Sequence, residues 1–318
     1  MIKISESYKK NIASMFPSIG EEWLNRIPFI VEKYVEKFNL KNIKVMENLT
    51  YNTLLFAESP EYGDIVIKIE IPFKEMTIRE SEALILNNGE GACKCLFKDI
   101  DDGVVILERL KPGYTLSTVE NIDERIGIFK DVSDKFNILL DDSYRGLPTY
   151  KEILMRSKTV TNSDPKKFGI IKELLDKAIS EYEIIERNSN CRYLLHSDLY
   201  SENIIKSGDT WKAIDPHGFI GPKILDETIF IQKELGDTNF NIDTLNILLE
   251  KMSKQCNHSV DELTKAFFVN YVLNICWDLE VNLDEEHIEK SIEKASIIEE
   301  MINTKNKKYT KTFKKLNI

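Results

Sequence analysis

What the 318-residue sequence lacks narrows its class first. No window approaches ~18 uninterrupted apolar residues, the length that crosses a bilayer, and the opening MIKISESYKKNIASMF holds no apolar core that would mark export. Cysteine is scarce and odd in number, five in all, which fits free thiols in a reducing cytosol better than a disulfide framework. Basic residues are in deficit, 43 against 53 acidic ones, and the net charge of -10 disfavours attraction to a polyanion. Nucleic acid and anionic membrane are therefore not expected partners. With four histidines the chain supplies a zinc hydrolase poorly, although His196-x-Asp198 and Asp215-Pro216-His217 could imitate a two-metal phosphoesterase. Thirteen glycines and nine prolines against 42% hydrophobic residues exclude a collagen-like, low-complexity or disordered chain. One large globular domain or two ordinary ones remain.

What is present changes period along the chain. Residues 21 to 40 carry Val31, Tyr34, Val35 and Phe38 on one helical stripe, and Pro28 is placed to begin that helix. The period then drops to two in NIKVME, YNTLLFAES and DIVIKIEI, which read as strands of a small antiparallel sheet. A helical stretch, FKEMTIRESEALILNN, and two more strands, ACKCLFKDI and VVILERL around the turn Asp101-Asp102-Gly103, complete a β-β-β-α-β-β order over residues 43 to 110. Beyond Lys111-Pro112-Gly113 the pattern is mostly helical, with one helix opened by an Asp164 cap before Pro165. The expectation is an α+β chain of two lobes. Residues 1–110 form a sheet lobe with a helix, five antiparallel strands and an inserted helix, and residues 111–318 form a helical lobe.

That helical lobe is interrupted by a polar insert, CRYLLHSDLYSENIIKSGDTWKAIDPH, holding His196, Asp198, Asn203 and Asp215. NIIK and WKAID flank the hairpin signal Ser207-Gly208-Asp209-Thr210, and a two-residue turn sets Asn203 opposite Ile214 and Asp215 opposite Glu202. Asn203 and Asp215 then leave the open end of one hairpin, within reach of Asp198 on the preceding loop. Two carboxylates and an amide oxygen in one loop region are hard oxygen donors that suit Mg²⁺, which would take phosphate oxygens as further ligands. The plainer reading makes the same residues loop and turn formers.

A second feature lies in the sheet lobe. Ile65, Ile67, Ile69 and Ile71 share one face of DIVIKIEI, which turns Lys68 to the other face beside Val66 and Glu70. A lysine in the middle of such a strand is costly to cover unless an anion meets it. Glu80, four residues from both Met76 and Leu84, lies on an apolar stripe of the following helix, and Glu82 competes for the same role.

These residues resemble the aminoglycoside phosphotransferases of the protein-kinase-like fold, in the streptomycin 6-phosphotransferase and hydroxyurea phosphotransferase branch. The stretches that carry the resemblance are FPSIGEEWLNRIP, IVIKI, RESEALILNNGEGACKCL, VILERLKPG, LLHSDLYSENII and WKAIDPHGFIG, in that order over residues 15 to 230. The resemblance implies an ATP- and Mg²⁺-dependent kinase with Asp198 as catalytic carboxylate and Asn203 and Asp215 as metal ligands. It makes Lys68 the contact to the α- and β-phosphates and Glu80 its partner. Glu108, Arg109 and Leu110 would offer backbone groups to adenine, and Asp226 would brace the catalytic loop. Ser197 stands where the family has glycine, and the nucleotide-covering loop ENLTYNTL has no glycine at all. Only ten residues separate Asp215 from Asp226, too few for a phosphorylatable activation segment, which favours a small-molecule acceptor over a protein.

The expected acceptor is a cationic, aminoglycoside-like molecule such as streptomycin, drawn by acidic residues including Asp278, Glu280, Asp284, Glu285 and Glu286. A metabolic alcohol is the other acceptor class, and a kinase-shaped nucleotide-binding protein without turnover is the other function. Trp277 reads as core or as a stacking surface, Cys93 and Cys95 as buried packing rather than metal ligands. The tail NTKNKKYTKTFKKLNI, with six lysines, reads as a solvated terminus.

Overall fold

The computed structural model describes the chain except residues 1–3, 48, 50, 51, 72, 73, 163, 164, 190, 237–239, 281–283 and 316–318, and describes no side chains at 160, 162, 165–167 and 305–315. The Asp164 cap, part of the ENLTYNTL loop and the side chains of the lysine tail past residue 304 thus lie outside the described residues. In chain order the elements are α1 Glu6–Met15, α2 Gly20–Phe38, β1 Lys41–Val45, β2 Thr53–Ser59, β3 Gly63–Ile69, α3 Lys74–Asn87, β4 Cys95–Asp99, β5 Val104–Glu108 and β6 Pro112–Thr115. There follow α4 Ile122–Phe136, α5 Tyr150–Asn162, α6 Pro165–Ser189, β7 Tyr193–Leu195, β8 Ile204–Ser207, β9 Thr210–Ala213, β10 Phe219–Gly221, α7 Ile224–Leu235, α8 Ile242–Gln255, α9 Val260–Glu280 and α10 Glu285–Lys315. They group into two compact units, residues 1–115 with 205–217 and residues 116–204 with 218–318.

In the first unit five antiparallel strands form one sheet in the order β1-β2-β3-β5-β4. The alternation of β3 decides its two faces. Ile65, Ile67, Ile69 and Ile71 are buried in a core with Tyr8 and Ile12 of α1 and Trp23, Ile27, Ile30, Val31 and Tyr34 of α2. At about 2 kcal/mol for each fully buried large aliphatic side chain, this face is the main hydrophobic stabilisation of the unit. Helix α2 starts eight residues before the proline expected to open it, and Pro28 lies inside. Trp23 and Ile27 extend the buried stripe upstream of the proline, and their burial offsets the backbone hydrogen bond that a proline cannot make. Trp23 Nε1 also donates to the Glu70 carbonyl at 3.1 Å, locking the helix to the end of β3.

The β8–β9 hairpin, assigned from sequence to the helical lobe, is grouped with this first unit. Strand β6 pairs with β8, and β8 neighbours β9 in a three-stranded sheet. The Ala213 amide donates to Gly91 at 2.8 Å and the Ala213 carbonyl accepts from Cys93 at 2.9 Å. Backbone pairing on both edges of the hairpin ties it to the sheet unit. The division also leaves β6, just past the Lys111-Pro112-Gly113 break, with the first unit.

The second unit is helical apart from the two-stranded antiparallel pair β7–β10. Helix α9, apolar on nearly every side, is buried along Leu263, Phe267, Phe268, Val269, Val272 and Leu273 and packs against α6, α7 and α10. Asn270 in its middle satisfies its amide on Thr228 Oγ1 (2.7 Å) and the Leu225 carbonyl (2.8 Å), so a buried polar group fixes how α9 meets α7. Among the described residues no helix is long and apolar enough to cross a membrane.

Candidate active site

The first cluster grows out of the polar face of β3. Leu54 of β2 and Val105 of β5 flank Lys68, and the chain buries it to 4% exposure. A charge so placed must be paired to persist. Helix α3 buries Thr77, Glu80, Ser81 and Leu84 on one stripe, so Glu80 points inward and its Oε2 lies 2.5 Å from Lys68 Nζ. Glu82 turns away to Lys98 at 3.7 Å. Asp215 Oδ1 also accepts from Lys68, and Glu70 Oε1 stands 3.3 Å from the same nitrogen.

Three carboxylates thus surround one ammonium. Burial alone would lower the Lys68 pKa, but Asp215, Glu80 and Glu70 outweigh it and hold the amine well above its ordinary value. Burial pushes the Glu80 carboxyl well above its ordinary value despite the pull of Lys68, and Glu70 and Asp215 push it the same way. Glu70 Oε2 and Glu80 Oε1 are both buried without a donor to accept from.

Lys68, Glu80 and Asp215 line a cavity of about 640 Å³ within the first unit. Its remaining wall is largely apolar, with Leu54, Phe56, Val66, Leu107, Ile205 and Ile214. Glu108 and Leu110 line it too, at the turn from β5 toward β6. Two of the backbone donors there are already engaged: Glu108 N–H bonds to the Lys94 carbonyl at 2.9 Å and Arg109 N–H to that of Asp64 at 3.2 Å. The Glu108 carboxylate faces Lys212 at 3.1 Å and accepts from the Lys94 amide. Leu110 is buried in the wall. A volume of this size, apolar along one wall and closed by the Lys68 cluster at the other end, has room for a nucleotide-sized ligand.

The second cluster belongs to the other unit and follows β7. Asp226, fully buried in the first turn of α7, accepts from the amides of His196 (2.9 Å) and Ser197 (2.8 Å) and from Asn137 Nδ2 (2.8 Å). Burial raises its pKa to about 6, against the lowering effect of those three donors. Ser197 adopts a left-handed backbone with φ of 63° at the position where glycine would be at ease. The turn projects Asp198 outward, where Asn203 Nδ2 donates to both its carbonyl (2.9 Å) and its Oδ2 (3.0 Å).

Asn203 therefore commits its amide hydrogens to the loop, and Oδ1 is the atom left to face a ligand. Asp215, 54% exposed in the first unit, is a hard carboxylate donor. Among the described residues no group of three or more His, Cys, Asp or Glu forms a metal cage of its own. An amide oxygen and a carboxylate are each hard oxygen donors of the kind that Mg²⁺ takes beside water and phosphate.

Sequence reasoning passed over Glu70 and Lys233 as site residues. Glu70 sits two residues from Lys68 on one strand face, a spacing visible in the sequence. Lys233 of α7 lies 3.4 Å from Asp198 Oδ1, a proximity only the packing of α7 creates. The acidic residues considered for an acceptor are partly used locally: Asp278 faces His287 at 3.3 Å, Asp284 caps α10 through the His287 amide, and Glu286 pairs with Lys290. Trp277 is half-buried, its ring 6.5 Å from that of Phe219.

Residues 54–272 match the profile of the aminoglycoside/hydroxyurea antibiotic resistance kinases. The chain is similar to streptomycin 6-kinase of Streptomyces glaucescens, 23% identical over 226 residues that cover 70% of this chain and 72% of the relative. Among solved structures it resembles Plasmodium vivax ethanolamine kinase with a TM-score of 0.60, 16% identity and coverage of 85% and 87%. A thermostable mutant of an aminoglycoside phosphotransferase in a ternary complex with ADP and hygromycin B aligns with a TM-score of 0.55 at 10% identity, covering 84% and 96%.

Proposed function

The chain belongs to the aminoglycoside/hydroxyurea antibiotic resistance kinase family, a phosphotransferase of kinase-like fold with a hydroxyl acceptor, and from that premise we propose that it transfers the γ-phosphoryl group of ATP to an aminoglycoside such as streptomycin. The observation that supports nucleotide use most is the buried Lys68 ammonium, held by Glu80, at the polar end of the largely apolar cavity of about 640 Å³. Apolar walls suit a purine face, and the amine suits the α- and β-phosphates. Glu80 orients Lys68 and keeps it extended along the wall. The Glu108 to Leu110 backbone meets the base edge, through groups other than the Glu108 and Arg109 amides.

Asn203 Oδ1 and the Asp215 carboxylate would hold Mg²⁺, which when bound neutralises phosphate charge. Asp198, with Oδ2 fixed by Asn203, orients the acceptor hydroxyl and takes up its proton. Asp226 holds the turn that aims Asp198, as its three hydrogen bonds to the loop and to Asn137 indicate. Phosphoryl transfer through a loose transition state needs this positioning and charge balance more than covalent chemistry.

The acceptor assignment rests on the streptomycin 6-kinase relative and on the net charge of -10, which favours a polycationic molecule. A panel of aminoglycosides in a coupled ADP-release assay tests it. Streptomycin-dependent ADP release is the expected result. Release with none of the panel, alongside Mg-ATP binding, would move the acceptor to a metabolic alcohol.

A further inference from the structure

Helix α7 is fastened to the loop of Asp198 at both of its ends. In its first turn Asp226 takes the amides of His196 and Ser197. In its last turn Glu234, 6% exposed, accepts from Ser201 Oγ and pairs with Arg125 at 2.8 Å. The residue beside this anchor is Lys233, whose ammonium lies 3.4 Å from Asp198 Oδ1 and 5.0 Å from the centroid of the Tyr200 ring. The cation is therefore delivered by an element fixed at two points, and an aromatic face supports it.

An isolated, half-exposed ion pair of this kind contributes about 0–1 kcal/mol to stability, so stability does not account for it. Its geometry relative to the reaction does. Asp198 Oδ2 already accepts from Asn203, which leaves Oδ1 as the oxygen that receives the acceptor hydroxyl. A hydroxyl at about 3 Å from Oδ1 shares that oxygen with the Lys233 ammonium. The two then lie about 4–6 Å apart, and a phosphoryl group arriving at the hydroxyl brings its equatorial oxygens into reach of Nζ.

We propose that Lys233 is a catalytic residue that leaves Asp198 to contact the transferring phosphoryl group, stabilising the negative charge on its equatorial oxygens. The proposal rests on the kinase reading above. In the step, the acceptor oxygen forms its bond to the γ-phosphorus while the bond from phosphorus to the bridging oxygen breaks, and that electron pair leaves on ADP. The hydroxyl proton passes to Asp198. Lys233 exchanges no proton and contributes charge alone, which its 42% exposed, flexible stem can bring across a few ångströms.

The test compares Lys233→Met, Lys233→Arg and Asp198→Asn with wild type in Mg-ATP turnover with streptomycin, and in calorimetric binding of Mg-ADP with and without fluoroaluminate, a mimic of the phosphoryl in transit. Lys233→Met should lower kcat about 10²–10³-fold, leave Mg-ADP affinity unchanged, and lose the extra affinity that fluoroaluminate adds. Lys233→Arg, which keeps the charge, should stay within about tenfold of wild-type kcat. A Lys233→Met enzyme within about threefold of wild type, or one that keeps the fluoroaluminate gain, overturns the proposal; so does an arginine variant as slow as the methionine one. Asp198→Asn separates the two readings. Its turnover at the wild-type rate, or failure of the wild type to bind Mg-ADP, sinks the kinase assignment, whereas a dead Asp198→Asn beside a fully active Lys233→Met sinks this proposal alone.

Discussion

Replacing Ser197 with glycine should stabilise the protein, although the residue sits in the buried turn just before Asp198. Its φ of 63° is a left-handed conformation that costs a residue with a Cβ about 1–2 kcal/mol. Its Oγ is buried with no hydrogen-bond partner, a further cost of about 1–3 kcal/mol. Glycine removes both, and gives back about 0.5–1 kcal/mol because its unfolded chain is freer. The backbone amide of residue 197 keeps its bond to Asp226 Oδ1 in either case. The net gain is about 1–4 kcal/mol, or about 2–6 °C in melting temperature for a chain of this length. Ser197→Ala divides the two contributions, since it keeps the backbone cost and removes only the hydroxyl, so it should gain about half as much. Scanning calorimetry of the three proteins reads the order glycine, alanine, serine. A glycine variant that melts below wild type would refute the reasoning, because it would mean that the serine side chain holds the loop rather than straining it.

Other outcomes follow from the buried cluster and the loop brace. Lys68→Met leaves Glu70, Glu80 and Asp215 without their cation. It should abolish Mg-ATP binding and cost about 3–5 kcal/mol of stability near neutral pH, with part of the loss recovered as the pH is lowered and the carboxylates take up protons. Glu80→Gln, which mimics a protonated carboxyl, should stay within about 1 kcal/mol of wild type, while Glu80→Ala costs about 3 kcal/mol by chemical denaturation. The Asp226 carboxyl, raised to about 6 by burial, binds its proton more tightly in the folded chain than in the unfolded one. Its contribution to stability is therefore complete below the ordinary value of 3.8 and is lost as the pH rises through about 6, a slope that Asp226→Asn should remove from a melting-temperature series. Gly103→Ala should destabilise by about 2 kcal/mol, because φ is +66° there and an added Cβ would stand 2.9 Å from the Glu70 carbonyl.

The parts of this molecule legible in its sequence are those set by local periodicity. The Ile65, Ile67, Ile69 and Ile71 alternation gives one buried face and, by the pleat, turns Lys68 to the other. The Gly208-Asp209 turn likewise separates two strands of equal length, Ile204–Ser207 and Thr210–Ala213. What escaped the sequence depends on elements distant in the chain. The start of α2 ahead of Pro28 depends on Trp23 and Ile27 finding the sheet, and tertiary burial overrides the proline signal. The choice of Glu80 over Glu82 was open because both sit near apolar neighbours on α3, and the rotation of that helix against β3 decides it. Lys233 carries no local mark that distinguishes it from other surface lysines. Its place beside Asp198 follows from Asp226 and Glu234 fixing the helix at either end.

The central claim meets its most direct test in single-turnover transfer from γ-labelled ATP to streptomycin, with and without Mg²⁺, by wild type and Asp198→Asn. The account predicts labelled streptomycin phosphate from wild type only when the metal is present, and none from Asp198→Asn even though it binds Mg-ATP as tightly. Label transferred at an equal rate by the Asp198→Asn protein would contradict it.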